Sequence, residues 1–114
     1  MTVSVEQRIL KIIAAFEEAM EARVKAGLMD AATLKQRASF YGRLRETRGN
    51  KAMLMPRSEV IKIRDEMIAT PGAADNMVKS IRALYAWAIE RGEVSENPAS
   101  GIAKVNRGAG ATPW

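Results

Sequence analysis

Basic and hydroxyl side chains recur at helical spacing in one part of the sequence. Lys35, Ser39 and Arg43 follow one another at intervals of four residues, which aligns them along one side of a helix. Such a row can lie along the phosphates of a nucleic acid. The surrounding segment, residues 27–50, carries five basic and two acidic side chains, whereas residues 1–26 carry four of each. The positive charge of the chain is therefore concentrated here.

A second group of polar residues is spaced by three. Asn76, Lys79 and Arg82 fall on one side of a predicted helix. Asn, Lys and Arg are the side chains that bind the edges of bases. Basic helix faces are also common as plain solvated surface, so charge alone leaves both interpretations open.

The residue types that are missing exclude most enzyme chemistry. There is no Cys and no His, which removes disulfides, thiolate zinc sites, cysteine nucleophiles and imidazole catalysis. No glycine-rich phosphate loop is present. The adjacent acidic pairs Glu17-Glu18 and Asp65-Glu66 point to different parts of a helix surface and indicate solvated faces. We therefore expect no cofactor, no metal and no catalytic residue.

Length and charge are those of a small basic domain. The chain has 114 residues and a net charge of +5, which favours polyanionic partners. No apolar run approaches the roughly 20 residues that cross a bilayer, and the N-terminus lacks the features of a secretory signal. We expect a cytoplasmic protein that does not cross a membrane.

The first two elements are predicted helices. Ser4 is a candidate N-cap of the first, and Gly27 ends it. The second begins at Asp30 or Thr33 and ends before Gly49. Apolar residues recur every three or four positions in the first helix, at Val5, Ile9, Ile12, Ile13, Phe16, Met20 and Val24.

Two further helices complete the fold. Ser58 is expected to cap the third, and Thr70 to cap the fourth with Pro71 at its first position. Gly92 follows the last periodic residue of the fourth helix, as a helix end requires. No alternating pattern indicates a strand. The fold class is therefore all-α, a small bundle of helices.

The composition changes near residue 97. Turn-forming residues with few large apolar neighbours follow, namely Asn97, Pro98, Gly101, Gly108, Gly110 and Pro113. This pattern is typical of a linker. The predicted organisation is a helical domain over residues 1–97 and a linker over residues 98–114.

The segment 76–102 resembles the last core-binding helix of phage integrases, which are tyrosine recombinases. In that family a helix ends in an aromatic-Trp-Ala stretch and a Gly, followed by a short turn and Asn-Pro. Here Trp87, Gly92 and Asn97-Pro98 stand in that order. Upstream, residues 64–65 and 70–74 fit the approach to this helix, and residues 33–37 fit the start of the family's second helix.

The resemblance implies a fold of four to five helices, the SAM-like core-binding domain. It also implies that this domain grips duplex DNA at the recombination core site, with the second and fourth helices in the major groove. The DNA contacts implied are Thr33, Lys35, Ser39, Arg43, Asn76, Lys79 and Arg82.

The resemblance implies a second half to the recombinase. The family's catalytic domain is C-terminal and supplies an Arg, a Lys, a His-x-x-Arg motif and the nucleophilic Tyr. A chain without His lacks that set, so this chain alone is not expected to be an enzyme. The implied partners are duplex DNA, the C-terminal catalytic domain, and neighbouring protomers in a tetramer on DNA.

Two other functions fit the same helices. In the first, the apolar stripe of the first helix forms a groove or dimer seam in a protein-interaction module. In the second, residues 70–73 form the turn of an unrelated helix-turn-helix regulator. One continuous basic face would favour DNA, and an uncharged apolar patch would favour a protein partner.

Overall fold

The computed structural model describes residues 8–105, and within them the chain is an all-α bundle. The four helices are α1 (Ile9–Lys25), α2 (Ala31–Arg48), α3 (Arg57–Glu66) and α4 (Pro71–Glu90). The described residues contain no β-strand, only one isolated bridge between Arg8 and Ala52. The predicted fold class is confirmed. No helix in this part of the chain has the length and apolar character needed to span a membrane.

Helix α4 is the centre of the core. Nine of its residues are buried, and α1, α2 and α3 each pack against it. Phe16 of α1 lies 5.1 Å from the ring of Trp87, between ring centroids. Trp87 therefore packs in the seam between α1 and α4.

Both tyrosines act as core hydrogen-bond donors. Tyr41 donates its hydroxyl to the carbonyl of Ser80, at 2.6 Å, and Tyr85 donates to the carbonyl of Met53, at 2.7 Å. Burial raises the pKa of both phenols, so they stay protonated as donors. Tyr85 thereby holds the loop between α2 and α3 onto α4.

The predicted C-terminal ends of α1, α2 and α4 are correct, and so is the predicted start of α4. Thr70 is the N-cap residue of α4, Pro71 follows at the first turn, and Gly92 has a φ of 80°. The amides of Gly92 and Glu93 bond to the carbonyls of Ile89 and Ala88, which is a Schellman motif and needs the left-handed glycine.

The starts of the other helices are set by the backbone. Asp30, not Thr33, is the N-cap residue of α2. The prediction that Ser58 caps α3 is wrong, because Pro56 occupies the N-cap position in extended conformation and Ser58 lies inside the helix. The prediction that Ser4 caps the first helix is also wrong, because Arg8 is the N-cap residue of α1; Ser4 itself lies outside the described residues.

Residues 97–105 pack back onto the bundle. Ala99 is fully buried and Ile102 is 9% exposed, and this segment is bonded to α3 and α4. The first part of the predicted linker is thus packed against the helices, and residues 106–114 lie outside the described residues.

Arg48 joins α2 to α3 through two carboxylates. Its side chain is 8% exposed and donates to Glu59 at 2.8 Å and to both oxygens of Glu66 at 3.0 and 3.2 Å. These hydrogen bonds lower the pKa of both glutamates and raise the pKa of Arg48. Arg45, one turn earlier, makes a more exposed bridge to Glu17.

We expect Arg48→Ala to lower the free energy of unfolding by about 2 kcal/mol, since it leaves two partly buried carboxylates without their donor. The matched control is Arg45→Ala, whose exposed ion pair contributes less than about 1 kcal/mol. Urea unfolding measures both. Equal losses in the two variants would contradict the role given to Arg48.

Stability should also depend on pH through Glu59 and Glu66. Because their folded pKa values are lowered, their contribution is fully present above about pH 5 and is lost as the pH falls through the folded values. Urea unfolding at stepped pH measures this loss. In Arg48→Met the slope below pH 5 should be shallower, and an unchanged slope would contradict the account.

Candidate functional site

A polar groove lies between α2 and the first half of α4. It measures about 140 Å³ and is lined by Thr33, Gln36, Arg37, Phe40, Asn76, Lys79 and Ser80. Two of these side chains are cationic, four carry amides or hydroxyls, and none is a carboxylate. The groove is therefore a surface that can accept an anionic, hydrogen-bonding partner.

Helical spacing places these residues on one surface. Thr33, Gln36, Arg37 and Phe40 are spaced by three and four residues on α2, and Asn76, Lys79 and Ser80 have the same spacing on α4. Tyr41 and Leu44 occupy the neighbouring face of α2 and are fully buried.

The hydroxyl of Tyr41 fixes the distance between the two walls. It bonds to the carbonyl of Ser80, which belongs to the groove. Phe16 packs against the Tyr41 ring with 5.8 Å between centroids. The groove is thus built on the core packing and does not depend on a loop.

Three of the predicted site residues meet in this groove. Thr33 and Asn76 are partly buried, and Lys79 is exposed. Lys35 and Ser39 are exposed on α2 but do not line the groove.

Arg43 lies on the side of α2 that approaches α3. The hydrogen bonds from Arg48 have the largest effect on the lowered pKa of Glu66, and the charge of Arg43 adds to it. Arg43 is exposed and forms no salt bridge within residues 8–105. It extends the basic surface of α2 away from the groove.

Arg82 is placed apart from the other predicted residues. Its Nε and Nη2 atoms both donate to the carbonyl of Ala99, at 3.3 and 3.2 Å. The Asn97 amide in turn donates to the backbone carbonyl of Arg82. Arg82 therefore holds residues 97–105 and does not line the groove.

Sequence reasoning missed four lining residues, namely Gln36, Arg37, Phe40 and Ser80. The signal was present as the spacing of Thr33, Gln36, Arg37 and Phe40. The row from Lys35 to Arg43 is the more obvious candidate for DNA contact, because it points away from the apolar stripe of the helix. The sequence does not show that α4 packs beside the other polar strip of α2.

A second cleft has the opposite charge. It measures about 420 Å³ and lies between α1 and the end of α4, where Trp87 is partly exposed. Glu18, Glu93 and Arg91 line it, and Arg91 covers the indole at 4.8 Å. The net negative lining does not suit a polyanion.

Metal binding finds no support in the part of the chain that the structure describes. Within residues 8–105, no three acidic side chains converge to hold an ion.

Comparison of the chain with protein-family models, with curated proteins and with solved structures finds no match. The fold and the groove together define a small all-α domain with a basic polar groove between two helices.

We expect Tyr41→Phe to lower the free energy of unfolding by about 1 kcal/mol, because the carbonyl of Ser80 loses the hydrogen bond from the buried hydroxyl, which it accepts in addition to its helical bond. The control, Ser39→Ala, changes an exposed position on the same helix and should have an effect within about 0.5 kcal/mol. Urea unfolding separates the two. A Tyr41→Phe variant as stable as the parent chain would show that this bond does not hold the groove together.

Proposed function

We propose that this chain is a DNA-binding domain and that the groove between α2 and α4 is its contact surface with duplex DNA. The observation that carries the proposal is the composition of the groove. Arg37 and Lys79 face a common space with the amides of Gln36 and Asn76, and no carboxylate lines it. Cations and amides are the groups that bind phosphates and base edges.

The residues divide by the contact that each can make. Arg37 and Lys79 provide the charge for phosphates, while Gln36 and Asn76 provide donors and acceptors for base edges or sugars. Lys35, Ser39 and Arg43 lie farther around α2, where they would contact phosphates beside the groove. Arg82 is left out of the contact surface because its Nε and Nη2 atoms hold the carbonyl of Ala99.

Salt bridges neutralise other basic residues of α2, so the positive charge that remains on this helix lies at and beside the groove. Arg45 and Arg48 are paired with glutamates, so two of the five basic residues of α2 are neutralised within the fold. Lys35, Arg37 and Arg43 form no salt bridge within the described residues. The resulting field favours a polyanion at this face.

We further propose that the domain is of the core-binding, SAM-like kind found in phage integrases. The support is the order of the motif: α4 ends beyond Trp87, Gly92 closes it, and Asn97-Pro98 follows after a short turn. In such a recombinase this chain would position cytoplasmic DNA for a C-terminal catalytic domain. It would take no part in the strand breakage itself.

The two alternatives receive less support. The apolar stripe of α1 is buried within the chain at Ile9, Ile12, Ile13, Phe16 and Met20, so it is not free to form a seam with a partner. The helix-turn-helix alternative needs a turn at residues 70–73, whereas residues 71–73 form the first turn of α4.

The test is fluorescence anisotropy of the chain with a generic labelled duplex at several salt concentrations. We expect binding that weakens with salt, by a log-log slope of about −0.9 for each phosphate contact. In the double variant Arg37→Gln/Lys79→Gln, affinity at low salt should fall by about tenfold or more, and the slope should become shallower by about 1.8.

The matched control removes the same charge elsewhere. Arg23→Gln/Lys25→Gln changes two exposed residues at the end of α1 and should retain the slope of the parent chain. Circular dichroism confirms that each variant is folded. Equal effects of the two double variants, or no binding by the parent chain at low salt, would overturn the proposal.

A further inference from the structure

Residues 97–105, here called the strap, lie along α3 and α4 without forming a helix or strand. Asn97 begins the strap with a local turn, in which its side-chain oxygen accepts from the amide of Ala99 at 3.1 Å. Its carbonyl accepts from the amide of Ser100 at 3.1 Å. The turn is completed at Gly101, which has a φ of 75°.

Side chains of α3 and α4 hold the strap at three points. Arg82 donates twice to the carbonyl of Ala99. Arg64 of α3 donates to the carbonyl of Ala103 at 3.0 Å. The carboxylate of Asp75 accepts from the amide of Val105 at 2.9 Å. Each bond joins a charged group to the backbone, so the strap is held whatever its exposed side chains are.

The strap runs antiparallel to α4. From Ala99 to Val105 its partners on α4 move from Arg82 back to Asp75, roughly two helical turns. Asp75 is 9% exposed and is followed by the groove residue Asn76. Val105 is therefore held at the N-terminal end of α4, the end whose neighbouring face lines the groove.

We propose that the strap is an integral part of the domain that holds Val105 at the N-terminal end of α4, and that Arg82 and Asp75 are the residues that position it. The planar guanidinium of Arg82 offers two donors to one carbonyl, which the single ammonium of Lys does not reproduce. Arg82 therefore affects DNA binding indirectly, by positioning the strap, and does not contact the DNA. The role of the groove rests on the proposed function, whereas the hold on the strap does not.

The first experiment is amide hydrogen exchange of the full chain by NMR, without DNA. The amides of Ala99 and Val105 should exchange at least about tenfold more slowly than in an unstructured peptide. Asp75→Ala should remove the protection of Val105, while Asp75→Asn, which retains the acceptor oxygen, should keep most of it. Arg82→Gln should lower protection at both amides.

Two controls show that these effects belong to the strap. Lys79→Gln changes an exposed residue of the same helix and should leave both amides protected. Slow exchange at Leu84, which is fully buried, shows in each variant that the bundle remains folded. Unprotected Val105 in the parent chain, or full protection in Asp75→Ala, would overturn the proposal.

The second experiment separates positioning from direct contact. In the salt titration with duplex DNA, Arg82→Gln should keep the slope of the parent chain, whereas a residue that contacts a phosphate changes it by about 0.9. A slope reduced by that amount would show that Arg82 contacts DNA and would overturn its assignment as a positioning residue. If the parent chain binds no DNA, the proposed function fails, and the exchange experiment alone decides the strap.

Discussion

The burial of α4 against the other three helices is the constraint on which the rest of the structure depends. Each neighbouring element contacts it through a specific partner: α1 through the Phe16–Trp87 ring contact, α2 through the Tyr41 hydroxyl, and the loop before α3 through Tyr85. The strap uses the remaining side of α4. Because α4 is surrounded in this way, only a narrow strip with Asn76 and Lys79 takes part in the groove.

The arrangement of charge follows from the same packing. Arg48 bridges α2 to α3 through two glutamates, and Arg45 bridges α2 to α1. These pairs neutralise Arg45 and Arg48 in the C-terminal half of α2, where Arg43 keeps its charge. The N-terminal half of α2 meets the start of α4. There Arg37 of α2 and Lys79 of α4 line one groove, and no carboxylate lines it. A basic composition thus becomes a local basic surface, which is what favours a polyanionic partner there.

The sequence was sufficient for the helices but not for the groove. Apolar periodicity and glycine positions predicted four helices, and the end of α4 at Gly92 was correct, because these signals are local. Pro56, and not the predicted Ser58, is the N-cap residue of α3, because the backbone is extended up to Pro56 and becomes helical at Arg57. The strap has the turn-forming residues of a linker, but its Ala99 is buried and Arg82 binds the Ala99 carbonyl, so this segment packs on the bundle. Which polar strip of α2 meets α4 depends on long-range packing, and no spacing within one helix reveals it.

The measurement that tests the central claim most directly is a titration of the ¹⁵N-labelled chain with unlabelled duplex DNA at low salt, followed by NMR. Our account predicts that the largest amide shift changes cluster at the groove, around Thr33, Gln36 and Arg37 on α2 and Asn76 and Lys79 on α4. Changes centred on the cleft beside Trp87, changes spread evenly over all basic residues, or no changes would contradict it.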